Sequence, residues 1–100
     1  MRVFIAGIDG YLGWALSQYL TARGHDVAGV DNYARRQWVE EMGSVSAIPI
    51  YSMEERLAAF REHYGKELLF RAGDLLDYQF LRDFLVEFQP DAIVHLGEMP

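Results

Sequence analysis

A chain of 100 residues has room for one domain at most, and with 51% apolar residues it can still build a core. Its net charge of −6 argues against nucleic acid as a main partner, because phosphate backbones select basic surfaces. The lack of cysteine excludes disulfides, thiolate chemistry and Cys-based metal sites together, and no apolar run approaches the ~20 residues of a membrane span.

Met1 to Gly7 reads as a strand from the outset, with no leader before it, so a cytoplasmic location is expected. Within it, Val3 to Ala6 is the continuous apolar run of a strand buried on both faces. A glycine-rich turn follows. Tyr11, Leu12, Ala15, Leu16, Tyr19 and Leu20 then recur at helical spacing, and Gly24 stands where helices stop. Val27 to Val30 is a second strand ending at Asp31, which completes a strand–helix–strand unit.

Between Asn32 and Lys66 the pattern predicts a short helix over Arg35 to Met42 and a small-residue loop from Gly43 to Pro49. Ser52 and Glu55 then form a capping-box pair. It opens a helix through Tyr64 that carries Leu57, Phe60 and Tyr64 on one face and ends at Gly65. Glu67 to Arg71 is the third strand. Asp77 is the N-cap of the next helix, whose buried stripe is Phe80, Leu81, Phe84, Leu85 and Phe88. Pro90 stops it, and Asp91 to Leu96 is the fourth strand.

Alternation of this kind places the chain in the α/β class, as a Rossmann-type doubly wound parallel sheet. Right-handed crossovers from a central first strand give the order 3-2-1-4 in this portion. The carboxyl ends of the four strands then converge on one crevice, carrying Gly7, Asp31, Asp74 and Leu96. A parallel strand normally leads into another crossover, so residues 1–100 are expected to be the N-terminal portion of a longer protein, cut after its fourth strand.

The turn Gly7-Ile8-Asp9-Gly10-Tyr11-Leu12-Gly13 carries the chemistry, and it is main-chain chemistry. Gly7 permits the tight turn, Gly10 lets a pyrophosphate approach, and Gly13 lets the helix pack on the strand. The helix start offers N–H groups and a partial positive charge to phosphates. Asp31 can accept both adenosine ribose hydroxyls and would repel a 2′-phosphate, which favours NAD over NADP.

Arg35 and Arg36 either contact the cofactor, by stacking on adenine or touching its phosphates, or are solvated charges. Asp74 either accepts from the adenine amino group, with the backbone of Leu75 assisting, or caps a turn. His95 is either a ligand contact or a core residue. Gly97 would let the chain pass close to the cofactor ribose, and Glu98 faces the crevice mouth. His25, His63 and His95 have no metal-site spacing.

Four stretches, 7–14, 30–36, 73–81 and 90–98, together resemble the UDP-sulfoquinovose synthases, extended short-chain dehydrogenases/reductases that act on nucleotide sugars. Gly-x-Asp-Gly-Tyr-x-Gly-Trp, Asp-Asn-x-x-Arg-Arg and His-x-Gly-Glu are the more specific parts, and the likeness spans essentially the whole chain. It implies bound NAD, UDP-glucose and sulfite as substrates, and conversion to UDP-sulfoquinovose through 4-keto intermediates. It also implies a homodimer for the full-length protein.

The matched cofactor positions are Asp9, Gly10, Tyr11, Leu12, Asp31, Asn32, Arg35, Arg36, Asp74, Leu75 and Leu96, with Glu98 near the sugar or sulfite. The family's Tyr-x-x-x-Lys pair, its active-site Thr and its UDP-binding half would lie beyond residue 100. This chain then holds the cofactor half and no catalytic residue. The alternatives are another nucleotide-sugar epimerase or dehydratase of the extended class, or a dinucleotide-binding module without catalysis.

Overall fold

The computed structural model describes residues 1–32 and 52–96. In chain order the elements are β1 (Arg2–Ala6), α1 (Tyr11–Ala22), β2 (Asp26–Asp31), α2 (Met53–Tyr64), β3 (Leu69–Ala72), α3 (Tyr78–Phe88) and β4 (Ala92–His95). The strands form one parallel sheet in the order β3-β2-β1-β4, as the alternation of patterns predicts. The helix expected over Arg35 to Met42 and the loop from Gly43 to Pro49 lie outside the described residues.

Successive side chains of a strand leave opposite faces of the sheet, and both faces of β1 and β2 are covered. Val3, Ile5 and Val27 point to one face, where they pack with Ile8 and with Met53 and Phe60 of α2. Trp14, Leu16 and Leu20 of α1 lie against the same cluster. Phe4, Ala6, Ala28 and Val30 point to the other face, against Phe84 and Phe88 of α3. Phe4 and Phe84 meet edge to face at 5.2 Å, a favoured aromatic geometry. Burying a ring such as Phe4 stabilises the fold by roughly 1.5–3 kcal/mol.

Only part of the stripe of large residues on α1 meets the core: Leu16 and Leu20 do, at its margin. Tyr11, Leu12 and Tyr19 are exposed, and the buried positions are Gly13, Ser17 and Thr21. Spaced four apart, these three lie one above another on the helix. Small side chains there let α1 lie close to the strands. The hydroxyl of Ser17, fully buried, donates to the carbonyl of Trp14 at 2.6 Å, so its burial leaves no unpaired donor.

Helix ends follow the sequence closely. In α1 the N–H of Gly24 donates to the Thr21 carbonyl and that of His25 to Leu20. Gly24 has φ +90°, so this is a Schellman ending with glycine at the left-handed position. Both halves of the Ser52–Glu55 capping box are formed, and Gly65 closes α2 at φ +68°. Asp77 accepts from the N–H of Phe80 at the start of α3.

Strand boundaries shift slightly from expectation. β3 begins at Leu69, opposite Ala28, while Glu67 turns outward to pair with Arg61 at 3.4 Å. β4 covers Ala92–His95, because Asp91 is drawn into an exchange with Arg2. The N–H of each donates to the other residue at 2.7 Å, to the Arg2 carbonyl and to Asp91 Oδ2.

Candidate functional site

Register brings the strand ends together. Ala6 stands beside Val30 and beside His95, and Asp31 beside Ala72. The turn after β1 therefore shares one edge of the sheet with the ends of β2, β3 and β4, as expected of a crevice at a change in strand order.

The turn is tied to β2. The N–H groups of Gly7 and Ile8 both donate to the Val30 carbonyl, at 2.9 and 3.3 Å. Gly7 has φ +89°, a conformation open mainly to glycine. The N–H of Asp9 donates to Oδ2 of Asp31 at 2.9 Å. The Asp31 carboxylate is thus drawn toward the glycine turn by the turn itself.

Gly10 and Gly13 have different reasons for being glycine. A Cβ on Gly13 would lie 2.4 Å from the Gly7 carbonyl oxygen and 2.8 Å from Ile8 Cα, so the close packing of α1 on β1 requires it. Gly10 has φ −71° and ψ 168°, open to any residue. Among the described residues a Cβ there would meet only the Gly7 oxygen, at an ordinary 3.5 Å. The described residues give no steric reason for glycine at that position.

The start of α1 is also uncapped. Gly10 makes no side-chain capping bond and the first turn holds no acidic residue, whereas Ser52 caps α2 and Asp77 caps α3. The first intrahelical bond at this end runs from Trp14 N–H to Gly10 O. The N–H groups of Tyr11, Leu12 and Gly13 therefore precede the helical ladder, at the positive end of the helix dipole. Tyr11 and Leu12 are 78% and 66% exposed, so neither is held in the core.

Asp9 is engaged within the chain. Its side chain is 4% exposed, and Oδ1 lies 3.5 Å from Nη1 of Arg56, itself 24% exposed. The same Nη1 donates to the Asp9 carbonyl at 3.3 Å. Arg56, on α2, escaped the sequence reading because no local pattern ties it to a turn 47 positions away. Gly29 escaped it as well. A Cβ there would lie 2.5–2.9 Å from the side chain of Ile8, so β2 makes room for the buried isoleucine of the turn.

The other expected positions fall as follows. Asn32 directly follows β2 and is exposed. Asp74 caps a turn, with Oδ1 accepting from Leu76 N–H at 2.9 Å. Leu75 packs against the α3 face of the sheet, and Leu96 N–H bonds the Ala6 carbonyl at 2.8 Å. His95 is exposed and not in the core. Arg35, Arg36, Gly97 and Glu98 lie outside the described residues. Among the described residues no group of three or more His, Cys, Asp or Glu is arranged to hold a metal ion, and no helix is long and apolar enough to cross a membrane.

Two relatives match nearly the whole chain. It is 44% identical over 98 residues to the UDP-sulfoquinovose synthase of Sulfolobus acidocaldarius, covering 98% of this chain and 25% of that protein. It is 38% identical over 97 residues to the chloroplastic UDP-sulfoquinovose synthase of Spinacia oleracea, covering 97% of this chain and 20% of that protein. The chain thus spans a quarter or less of the length of these relatives.

Among solved structures, the UDP-glucose 4-epimerase of Bifidobacterium longum in complex with NAD+ and UDP superposes with a TM-score of 0.74. That match is 21% identical and covers 99% of this chain and 25% of that one, and it supports the fold. The Bordetella bronchiseptica enzyme WbmH in complex with NAD+ gives 0.63 at 28% identity, covering 99% and 26%. The model of the NAD dependent epimerase/dehydratase family matches residues 3–100. With that match added to the Rossmann sheet and the glycine turn, the chain belongs to the NAD dependent epimerase/dehydratase family.

Proposed function

We propose that this chain is the NAD-binding portion of a UDP-sulfoquinovose synthase, which converts UDP-glucose and sulfite to UDP-sulfoquinovose. The observation that carries the cofactor reading is Gly10. It is bare at a place where the fold would accept a side chain, directly before uncapped helix donors. A surface kept clear in this way suits a ligand that approaches the main chain, and a pyrophosphate meets both the space and the dipole.

The remaining residues fit the adenosine side. An ionised carboxylate has about four acceptor positions, so Asp31 can hold the Asp9 N–H and still take ribose hydroxyls. Tyr11 and Leu12 would donate their N–H groups to the phosphates. Arg35 and Arg36 would contact the cofactor, and Asp74 and Leu75 would border the adenine. Gly97 would pass beside the ribose, and Glu98 would stand near the sugar or sulfite. NAD bound there would supply a hydride acceptor for the sugar.

The choice of sugar chemistry rests on the relatives at 44% and 38% identity. The test is turnover by the full-length protein with UDP-glucose, with and without sulfite. Formation of UDP-sulfoquinovose only when sulfite is present is the expected result. Conversion of UDP-glucose to an epimer or a dehydrated sugar, indifferent to sulfite, would replace this reading with an ordinary epimerase or dehydratase. NAD binding without turnover of any UDP-sugar would leave a binding module.

A further inference from the structure

A carboxylate inside a phosphate-binding turn is electrostatically misplaced. Asp9 immediately precedes Gly10 and is buried, so its charge is poorly screened by water. A pyrophosphate above the same turn would add negative charge nearby. Arg56 answers this arrangement. Its Nη1 reaches both Oδ1 and the carbonyl of Asp9, and its guanidinium lies 5.4 Å from the centre of the Trp14 ring on α1. The cation is thus held between α2 and the start of α1, next to the acid.

We infer that Arg56 is a positioning residue for the dinucleotide site, neutralising Asp9 so that an acidic turn can accept a pyrophosphate. Removing the cation withdraws this counter-charge from a buried acid, which costs more than removing both partners. The inference rests on the dinucleotide reading of the turn, and it adds a requirement that no local motif contains.

The experiment measures binding of NAD and of adenosine to the full-length protein by calorimetry, with melting curves for every variant. Adenosine fills the ribose and adenine positions without bringing a pyrophosphate. Arg56→Ala is expected to weaken NAD at least tenfold while changing adenosine less than threefold. Adding Asp9→Asn should recover most of the lost NAD affinity, because the repelling charge is then gone.

Equal losses for NAD and adenosine would mean that Arg56 merely props up the fold, and would overturn the inference. So would a double variant that binds NAD as weakly as Arg56→Ala, or an Arg56→Ala protein with wild-type affinity. If Arg56→Ala does not fold, the double variant, which removes the acid together with the cation, carries the test. NAD binding at least tenfold weaker than wild type would then overturn it. Failure of the wild-type protein to bind NAD would instead strike the dinucleotide reading itself.

Discussion

The main-chain N–H of Asp9 and Oδ2 of Asp31 are 2.9 Å apart and hydrogen-bonded. One carboxylate thereby serves the turn after β1 from the end of β2. Hydrogen bonds to charged groups contribute about 1.5–3 kcal/mol. Asp31→Ala is therefore expected to weaken NAD binding by roughly ten- to a hundredfold, a factor of ten being about 1.4 kcal/mol. It should also relax discrimination against NADP, because the repelling carboxylate is gone. Parallel titrations with the two dinucleotides check both points, and unchanged relative affinities would remove Asp31 from the ribose site.

Gly10 and Gly13 should separate binding from folding. Gly10→Val places its Cβ where only the Gly7 oxygen is near, so the fold is expected to lose no more than about 1 kcal/mol at this N-cap, while NAD binding is abolished. Gly13→Ala drives a methyl against main chain at 2.4 and 2.8 Å. Overpacking against backbone of this kind costs about 3 kcal/mol. Denaturant melts without ligand, set beside NAD titrations, distinguish the two. Wild-type NAD affinity in Gly10→Val would show that the turn is merely structural.

The fold was legible because its signals are local and periodic. The apolar runs of β1 and β2, the Ser52–Glu55 box, Gly24, Gly65 and Asp77 each state their role within a few positions. The stripe read on α1 held for Leu16 and Leu20 but not for Tyr11, Leu12 and Tyr19, because the fully buried positions of this helix are small. Closeness of the helix to β1, dictated by Gly13, decides which face is inward, and hydrophobicity alone does not carry that. In the candidate site, the meeting of the glycine turn with Asp31 could be read, since both belong to one strand–helix–strand unit. Arg56 and the fit of Gly29 beneath Ile8 could not, since each depends on elements that meet only after folding.

That fit makes its own prediction. Gly29→Ala would push a methyl into Ile8 at 2.5–2.9 Å and is expected to destabilise the protein by about 1–3 kcal/mol. Shortening Ile8 to alanine in the same chain should recover part of that loss, because the two positions share one space. A chemical-denaturation cycle over the two single variants and the double measures the coupling, and strict additivity would deny the contact.

Acid should loosen α2 at its start. The Ser52 N–H that donates to the Glu55 carboxylate, with the Ser52 side chain adding to it, holds the Glu55 carboxyl below its ordinary 4.5. A folded-state value lowered in this way gives stability that is fully present above the unfolded value. It is lost as pH falls through the lowered one. Glu55→Ala, which removes the carboxylate that the Ser52 N–H holds, is therefore expected to lower Tm by a few degrees at pH 7, and the gap to wild type should narrow as pH drops below 4.5. Melting curves across that range decide it, and a gap independent of pH would detach the box from the charge on Glu55.

On the dinucleotide reading, the start of α1 would offer peptide amides to its ligand, while Tyr11 and Leu12 are exposed. An amide has no proton to gain or lose under any condition in which the protein stays folded. A diphosphate seated on such donors is held with the same strength in mild acid as in mild base. Exchanging Tyr11 or Leu12 for another residue leaves those donors where they are, so the two outward positions are at liberty to serve other neighbours.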